Sequence, residues 1–507
     1  MKWLLMLLMP IGLQAQTFQM LYDASSSYCK ANSIISTTDG GYIAVGQNER
    51  YDVPASDMLV VKLDGDGDTL WTRTFGGNQA EAAYEVIQTW DGGYMITGKT
   101  KSFGVGNYDM LFVKLNSNST IEWTKTYGGP GYDAAESIEE INGGFITYGW
   151  TQSFGAGGWD GLLMRLDTNG DTLWTRTYGG IGDDYPFSLV ATFDGGYLLA
   201  GATTSFGVGK YDCYIIKTDS NGDTLWTKTF GSVEDDFLTS GFQVPDSGFV
   251  LVGFTDRDTM MKADVLLIKT DSDGNIEWSK TYGDSAFQRA YDITATSNGD
   301  YIVAGQGWRS GYSDIGIIKT DTNGDTLWTK TFGNSHYDEC NGIDTTNDGA
   351  VILGGLSVNP NGDTVRMYII KADSNGSSNQ CQEYQTQIIV KDVVLSIASA
   401  DFVSSSAPVE VGNPNVGPTN TMIKDSIVCS TVGIDDIGQP TTDLVVFPNP
   451  TTGLFQVKGE PPITVYNLLG NLMIRESTSR QVNLSGYPSG IYIVIVGETA
   501  TRLLLAK

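Results

Sequence analysis

Ile215-Ile-Lys-Thr-Asp-Ser-Asn-Gly-Asp-Thr-Leu-Trp226 decides the fold. A β-branched run ends in a cation, an acidic Asn-Gly turn follows, and the chain returns through Thr-Leu-Trp. Asn-Gly between two apolar runs is a hairpin signal, because its residues accept the positive φ that a tight turn requires. The Trp of this hairpin recurs at Trp71, Trp123, Trp174, Trp226, Trp278 and Trp328, in steps of 52, 51, 52, 52 and 50 residues. The cation recurs seven times, at Lys62, Lys114, Arg165, Lys217, Lys269, Lys319 and Lys371. Seven times, too, a turn run enters a strand, from Gly41-Tyr42 to Gly349-Ala350.

One repeat reads as four strands, near 84–89, 94–99, 110–115 and 121–127, each β-branched or aromatic and bounded by turn residues. Four antiparallel strands at a period of about fifty residues predict an all-β, seven-bladed β-propeller. The seventh repeat lacks a Trp-bearing fourth strand. Phe18-Gln-Met-Leu-Tyr22 has that strand's pattern, with Phe18 in the Trp place and Tyr22 as the aromatic four residues on. The N-terminal strand is therefore expected to close the last blade as its outer strand, beside the run ending at Lys371, which removes an open edge.

Composition narrows the class. The chain of 507 residues has 62 Gly and 25 Tyr with 18% charged residues, the balance of a turn-rich β protein. A net charge of -28 argues against nucleic-acid binding, which needs cations to neutralise phosphates. Residues 1–15 read as a signal peptide, with Lys2 before the apolar stretch Trp3–Leu13 and a cleavage site at Leu13-Gln14-Ala15. No later segment approaches the ~20 apolar residues of a spanning helix. The expected organisation is a propeller over 16–376, a β-rich Ser/Thr/Val region over 377–430, a linker over 431–442 and a terminal β module over 443–507.

Two resemblances follow from these motifs. The hairpin-plus-Trp pattern resembles the tryptophan-docking repeats of quinoprotein-type propellers, which implies that each Trp packs between blades. The terminal module, with Val445-Val-Phe-Pro-Asn-Pro-Thr-Thr-Gly453, Val465-Tyr-Asn-Leu-Leu-Gly470, Leu484-Ser-Gly-Tyr-Pro-Ser-Gly-Ile-Tyr-Ile-Val494 and Leu503-Leu-Leu-Ala-Lys507, resembles the C-terminal sorting domain of the type IX secretion system. That resemblance implies a small β-sandwich, handling by the type IX machinery, and a secreted or outer-membrane-surface location reached through the periplasm.

Repeated residues maintain blades, whereas a site breaks symmetry. The seven cations, with Asp57, Asp109, Asp160, Asp212, Asp264 and Asp314 five positions before six of them, are expected to form structural hydrogen bonds and ion pairs. The Asp-x-Asn-Gly-Asp turns lack the further oxygen ligands of a Ca²⁺ loop, and Ca²⁺ is kept as a possible ligand elsewhere. A second acidic set, Glu81, Asp133, Asp184, Asp236 and Asp338, precedes the first strand of its repeat. Gln288 and Tyr28 interrupt it. These five are the candidate ligand-binding residues, expected at the channel mouth with Trp159 and Tyr185, and turn capping is the competing account. The Ser-Phe-Gly-x-Gly connections from Ser102, Ser153 and Ser205 fall on the same face.

A single histidine, His336, and the lack of a Ser or Cys nucleophile motif give catalysis little support. The expected function is a binding module for a glycan or protein partner, with a secreted glycosidase or lyase as the alternative. Among five cysteines, Cys29 with Cys340 and Cys381 with Cys429 are the disulfide candidates. Cys213 is expected to be a buried apolar residue.

Overall fold

The computed structural model describes residues 17–378, apart from 24–27, 50–54, 259–261, 284–287, 308–312, 334–335 and 360, together with strands and short stretches between 383 and 505. The signal-peptide and linker assignments lie outside the described residues, as do Cys381 and Cys429. Among the described residues all regular structure is strand. The chain divides into two compact units, residues 1–427 and 428–507.

The first unit repeats one four-stranded antiparallel sheet. In the second copy Glu81–Gln88, Tyr94–Thr100, Asp109–Leu115 and Ile121–Gly128 pair in order, with Thr100 opposite both Glu81 and Asp109 and Met110 opposite Tyr127. Its first turn is built by Asp91, whose Oδ1 accepts from the Thr89 hydroxyl and the Gly93 amide. The third-strand cation closes this turn. Lys114 meets Asp91 at 2.8 Å, and Lys62–Asp39, Lys217–Asp194, Lys269–Asp246 and Lys371–Asp348 repeat the pair at 2.9 Å. Where the turn carries Asn142 instead, Arg165 donates to the carbonyls of Asn142 and Phe145.

The second hairpin is an Asx turn. Asp167 Oδ1 accepts from the amides of Asn169 and Asp171, both at 2.8 Å, so this oxygen is occupied by backbone. Gly170 has φ 78°, and an added Cβ would lie 2.7 Å from the Trp123 ring of the preceding sheet. The same docking joins Trp174 to Gly222, Trp226 to Gly274, Trp278 to Gly324 and Trp328 to Gly376. Glycine is needed there twice over, for the turn and for the approach of indole.

Phe18–Asp23 pairs antiparallel with Val365–Ala372, Phe18 opposite Lys371 and Tyr22 opposite Met367. Phe18 then packs on Gly67 of the first sheet as each Trp packs on its neighbour, and Tyr22 Oη donates to the Gly67 carbonyl at 2.6 Å. The inner strands of successive sheets are stitched as well. Asn32 Nδ2 reaches the Ala83 carbonyl (2.7 Å), Glu85 accepts from Ile138, Glu139 from Ala191 (2.9 Å) and Asp292 from Ile343 (2.9 Å). Asn341 Nδ2 reaches the Ala31 carbonyl at 2.9 Å, joining the seventh inner strand back to the first. Between sheets lie fully buried aliphatics, such as Val45 and Val60 against Val86, Ile96 and Val113. Each contributes ~1.5–3 kcal/mol through burial.

The N-terminal strand is not outermost, as the sequence led us to expect. Lys424–Ile427 pairs along its other edge, Tyr22 opposite Asp425. The region after the repeats supplies such a fifth strand to sheet after sheet, in reverse order. Glu383 lies opposite Phe332, Val390 opposite Tyr282, Ile397 opposite Phe230, Ser404 opposite Tyr178 and Val411 opposite Tyr127. Each contact is seven residues beyond the last. Fourteen separate Val411 from Asp425, two steps of the same length.

The second unit holds two antiparallel sheets. One joins Val445–Phe447, Leu454–Lys458 and Gln481–Asn483; the other joins Leu472–Ser477, Ile463–Asn467, Gly490–Val496 and Thr499–Leu505.

Candidate functional site

The five carboxylates singled out in the sequence lie at the first residue of their inner strands, but they are buried. Asp133, Asp184, Asp236 and Asp338 are 0% exposed and Glu81 1%. Asp184 accepts from the Gly180 amide and the Ser205 hydroxyl, both at 2.7 Å, and from the Thr203 hydroxyl. Asp133 does the same with Gly129, Ser153 and Thr151. Glu81 takes the amides of Gly77 and Ser102 and the Thr100 hydroxyl, and Asp236 takes the Ser232 amide. Burial raises the carboxyls of Asp133, Asp184 and Asp236 above their usual range, while these hydrogen bonds pull the other way. Glu81, Asp133, Asp184 and Asp236 thus cap turns, and all five carboxylates are withdrawn from solvent.

The Ser-Phe-Gly-x-Gly connections are likewise ordered. Asp109 Oδ2 takes the amides of Val105 and Gly106, and Asp212 Oδ2 those of Val208 and Gly209. The expected Cys29–Cys340 disulfide is absent, and both are free buried thiols. Register explains this. Each inner strand has one β-bulge; Cys29 stands three residues before its bulge, the place of Asp338, whereas Cys340 stands one before. Cys29 Sγ donates to the Tyr22 carbonyl and Cys340 Sγ to that of Gly342. Cys213 is a fully buried free thiol.

The bulges mark where the repeats stop being alike. A bulge turns its extra residue out of the ladder and is enriched beside functional sites. Here the extra residues are Asn32, Tyr84, Glu136, Phe187, Thr239, Tyr291 and Asn341. Two residues earlier stand Lys30, Ala82, Ala134, Tyr185, Phe237, Arg289 and Glu339, opposite Gln47, Lys99, Trp150, Ala202, Phe254, Gln306 and Leu356.

Trp150, Tyr185, Phe237 and Phe254 of these positions join Tyr108, Tyr132, Trp159 and Tyr211, which lie just before the strands starting at Asp109, Asp133, Asp160 and Asp212, in a wall of rings. Tyr108–Tyr132 (4.4 Å between centroids), Tyr132–Trp150 (4.8 Å), Trp150–Trp159 (4.8 Å), Trp159–Tyr185 (6.0 Å), Tyr185–Tyr211 (5.9 Å), Tyr211–Phe237 (5.2 Å) and Phe237–Phe254 (4.8 Å) run unbroken. Arg289 caps one end, its guanidinium 4.2 Å over Phe254. The rings are half-buried except for Phe254, which is buried. The expected Trp159 and Tyr185 belong to this wall, in its middle.

Lys99 holds the other end. Its ammonium lies 5.0–5.8 Å from the ring centroids of Tyr84, Tyr108, Tyr132 and Trp150 and donates to Tyr132 Oη at 2.6 Å. Beside it the Glu136 carboxylate accepts from Trp150 Nε1. Burial pushes the Glu136 carboxyl up to about 7, against the pull of Trp150, Lys99 and Lys30. Desolvation lowers Lys99, an effect that Glu136 opposes. Half-buried rings next to a few placed charges suit a ligand with flat apolar faces and polar edges. No group of three or more candidate metal ligands occurs among the described residues. The sequence signals for this site were divergence at the bulge-side positions and an aromatic before Asp109, Asp160 and Asp212, whereas Lys99 and Glu136 carry no motif.

No curated protein matches the chain. A solved structure of a protein of unknown function from Bacteroides caccae is similar at 11% identity, with 56% of this chain and 92% of that one covered and a TM-score of 0.34. No helix among the described residues is long and apolar enough to cross a membrane. Residues 445–504 match the family described as the secretion system C-terminal sorting domain, so the chain carries a type IX sorting tail and is exported to the outer-membrane surface or the medium.

Proposed function

We propose that the first unit is a seven-bladed β-propeller and that the exported protein binds a glycan through the ring wall. Pairing of Phe18 with Lys371, docking of Phe18 on Gly67 and the Asn341–Ala31 bond support closure of the repeats on themselves. Trp packing between sheets supports the tryptophan-docking kind of blade. The observation that carries the binding reading is the unbroken line from Tyr108 to Phe254, with Trp159 and Tyr185 at its centre. Pyranose rings present C–H faces that stack on aromatic rings, while their hydroxyls bond to polar groups at the rim. Lys99 and Glu136 are those groups. A wall across several blades suits an extended chain of sugars better than a single residue.

The test is intrinsic Trp fluorescence of the mature protein titrated with oligosaccharides, then with Trp159→Ala. We expect the variant to lose at least ~10-fold in affinity, as for a central aromatic anchor, with an unchanged melting temperature. Equal affinity in the variant would sink the assignment. The alternative of a carbohydrate-active enzyme draws on one observation, a Glu136 carboxyl near neutrality beside Lys99, the setting of a proton-transfer group. Product analysis after prolonged incubation with the same oligosaccharides separates the two.

A further inference from the structure

We propose that Lys99 and Lys30, with Glu136 between them, form the recognition point for a carboxylate on this ligand, so that the bound glycan is a uronate-bearing polysaccharide. The proposal rests on the glycan reading above and adds the chemistry of the sugar. It starts from how cations are used in this chain, which has 31 Lys and Arg against 59 Asp and Glu. Six of the seven third-strand cations close turns through paired Asp residues. Outer-strand cations reach the next sheet's hairpin, as in Lys125–Asp171 at 2.9 Å and Lys280–Asp325 at 2.5 Å.

Lys30, Lys99 and Lys101 depart from that pattern. Among the described residues, none has a carboxylate within ion-pair distance in so acidic a protein. Lys99 is half-buried, and its one hydrogen bond, to Tyr132 Oη, leaves two of its three N–H groups to donate. Withdrawing an ammonium from water is costly. Four ring faces offset part of that cost. A neutral sugar has no use for such a charge, whereas a carboxylate takes both free donors in charge-assisted bonds. Lys101, 5.5 Å from the Tyr108 centroid, extends the positive strip along the ring wall. The next charged sugar of a polymer has a partner there.

Glu136 makes recognition proton-linked. It is faced by Lys99 and Tyr84 from the second sheet, Lys30 from the first, and Tyr132 and Trp150 from its own. Protonated, Glu136 leaves the two lysines uncompensated; ionised, it competes with the ligand for them. A uronate carboxyl titrates near ~4 and stays ionised throughout. Binding should therefore tighten as pH falls through about 7, with uptake of a proton.

The experiment is calorimetric titration of the full mature protein with an oligogalacturonate and with the same oligomer as its neutral methyl ester, at pH 6 and pH 8. Galacturonic acid monomer is the third arm. We expect the acid form to bind at least ~10-fold tighter than the ester, about the worth of one charge-assisted hydrogen bond. It should also bind tighter at pH 6, and tighter than the monomer. Lys99→Gln should erase the acid-over-ester preference, and Lys30→Gln should reduce it. Glu136→Gln should abolish the pH dependence. Thermal melts check the fold of each variant. Equal affinity for acid and ester overturns the carboxylate proposal and leaves the glycan reading standing. Failure of both forms to bind overturns both.

Discussion

Asp184 and Glu85 are both inner-strand carboxylates of repeated units, raised by burial, and they lend themselves to different tests. Asp184 sits among donors: the Gly180 amide and the hydroxyls of Thr203 and Ser205. Asp184→Asn turns one acceptor oxygen into an NH₂ aimed at those donors. We expect a loss of ~1–3 kcal/mol, the usual result of leaving buried polar groups mismatched, with ligand affinity per folded molecule intact. Thermal melts and titration of the same sample check both halves, and an unchanged melt with weakened binding would return Asp184 to the site. For Glu85, burial pushes the carboxyl up to about 8, with Glu139 and Asp292 adding repulsion. Its folded value lies above its unfolded one, so its contribution is fully present below pH ~4.3. That contribution is lost as pH rises toward 8. Wild-type melting temperature should fall between pH 5 and pH 8.5, and Glu85→Gln should flatten the decline; parallel profiles would exclude Glu85 as a cause.

At the scale of elements, the strand after the repeats changes how the sheet edges are understood. Seven extended residues reach at most ~25 Å, and this is the step with which residues 383–427 pass from one outer strand to the preceding one. Each stop pairs main chain to main chain and so satisfies edge groups that would otherwise recruit another chain. The N-terminal strand does more, since Phe18, Met20 and Tyr22 are also buried, at ~1.5–3 kcal/mol each. Deleting residues 17–22 should therefore lower the melting temperature far more than deleting 383–427. The latter deletion should leave a folded unit that self-associates through its bared edges, as read by light scattering. A monomeric deletion product with unchanged amide exchange in Thr172–Gly179 would show that the strap protects nothing.

On the scale of the whole molecule, a folded unit of repeats is joined to a module whose matched residues, 445–504, belong to export. The repeats carry their own core and edge protection, so removing residues 443–507 should leave a unit with an unchanged melting temperature. In its native host that truncated chain should collect in the periplasm, measured by cell fractionation. Normal delivery to the surface would contradict the role of the tail. The charge of -28 suits an exposed surface that resists association. The lysines at the ring wall are then a local exception to the field of the chain.

Local chemistry determined the repeating part of this protein from the sequence alone. Asn-Gly turns, alternating apolar runs and the Trp period act within one or two repeats, so strand identity and the strand-forming Phe18–Tyr22 segment were legible there. The sorting module was legible for a similar reason, as an ordered run of motifs. Three things needed the tertiary structure. The Cys29–Cys340 pairing depended on where bulges shift register, and a shift of two residues separates thiols that look equivalent in line. The stops of the 383–427 strap are strands of two to four residues, too short for an alternating pattern to be read along the sequence. Lys99 and Glu136 lie at positions that do not repeat, and the rings recur in only some repeats, as Tyr108, Trp159 and Tyr211 do before Asp109, Asp160 and Asp212, so a search for recurrence finds the turn-capping Asp residues first. What every repeat shares holds the sheets together; what distinguishes one repeat from the next becomes a surface only when the strands are brought side by side.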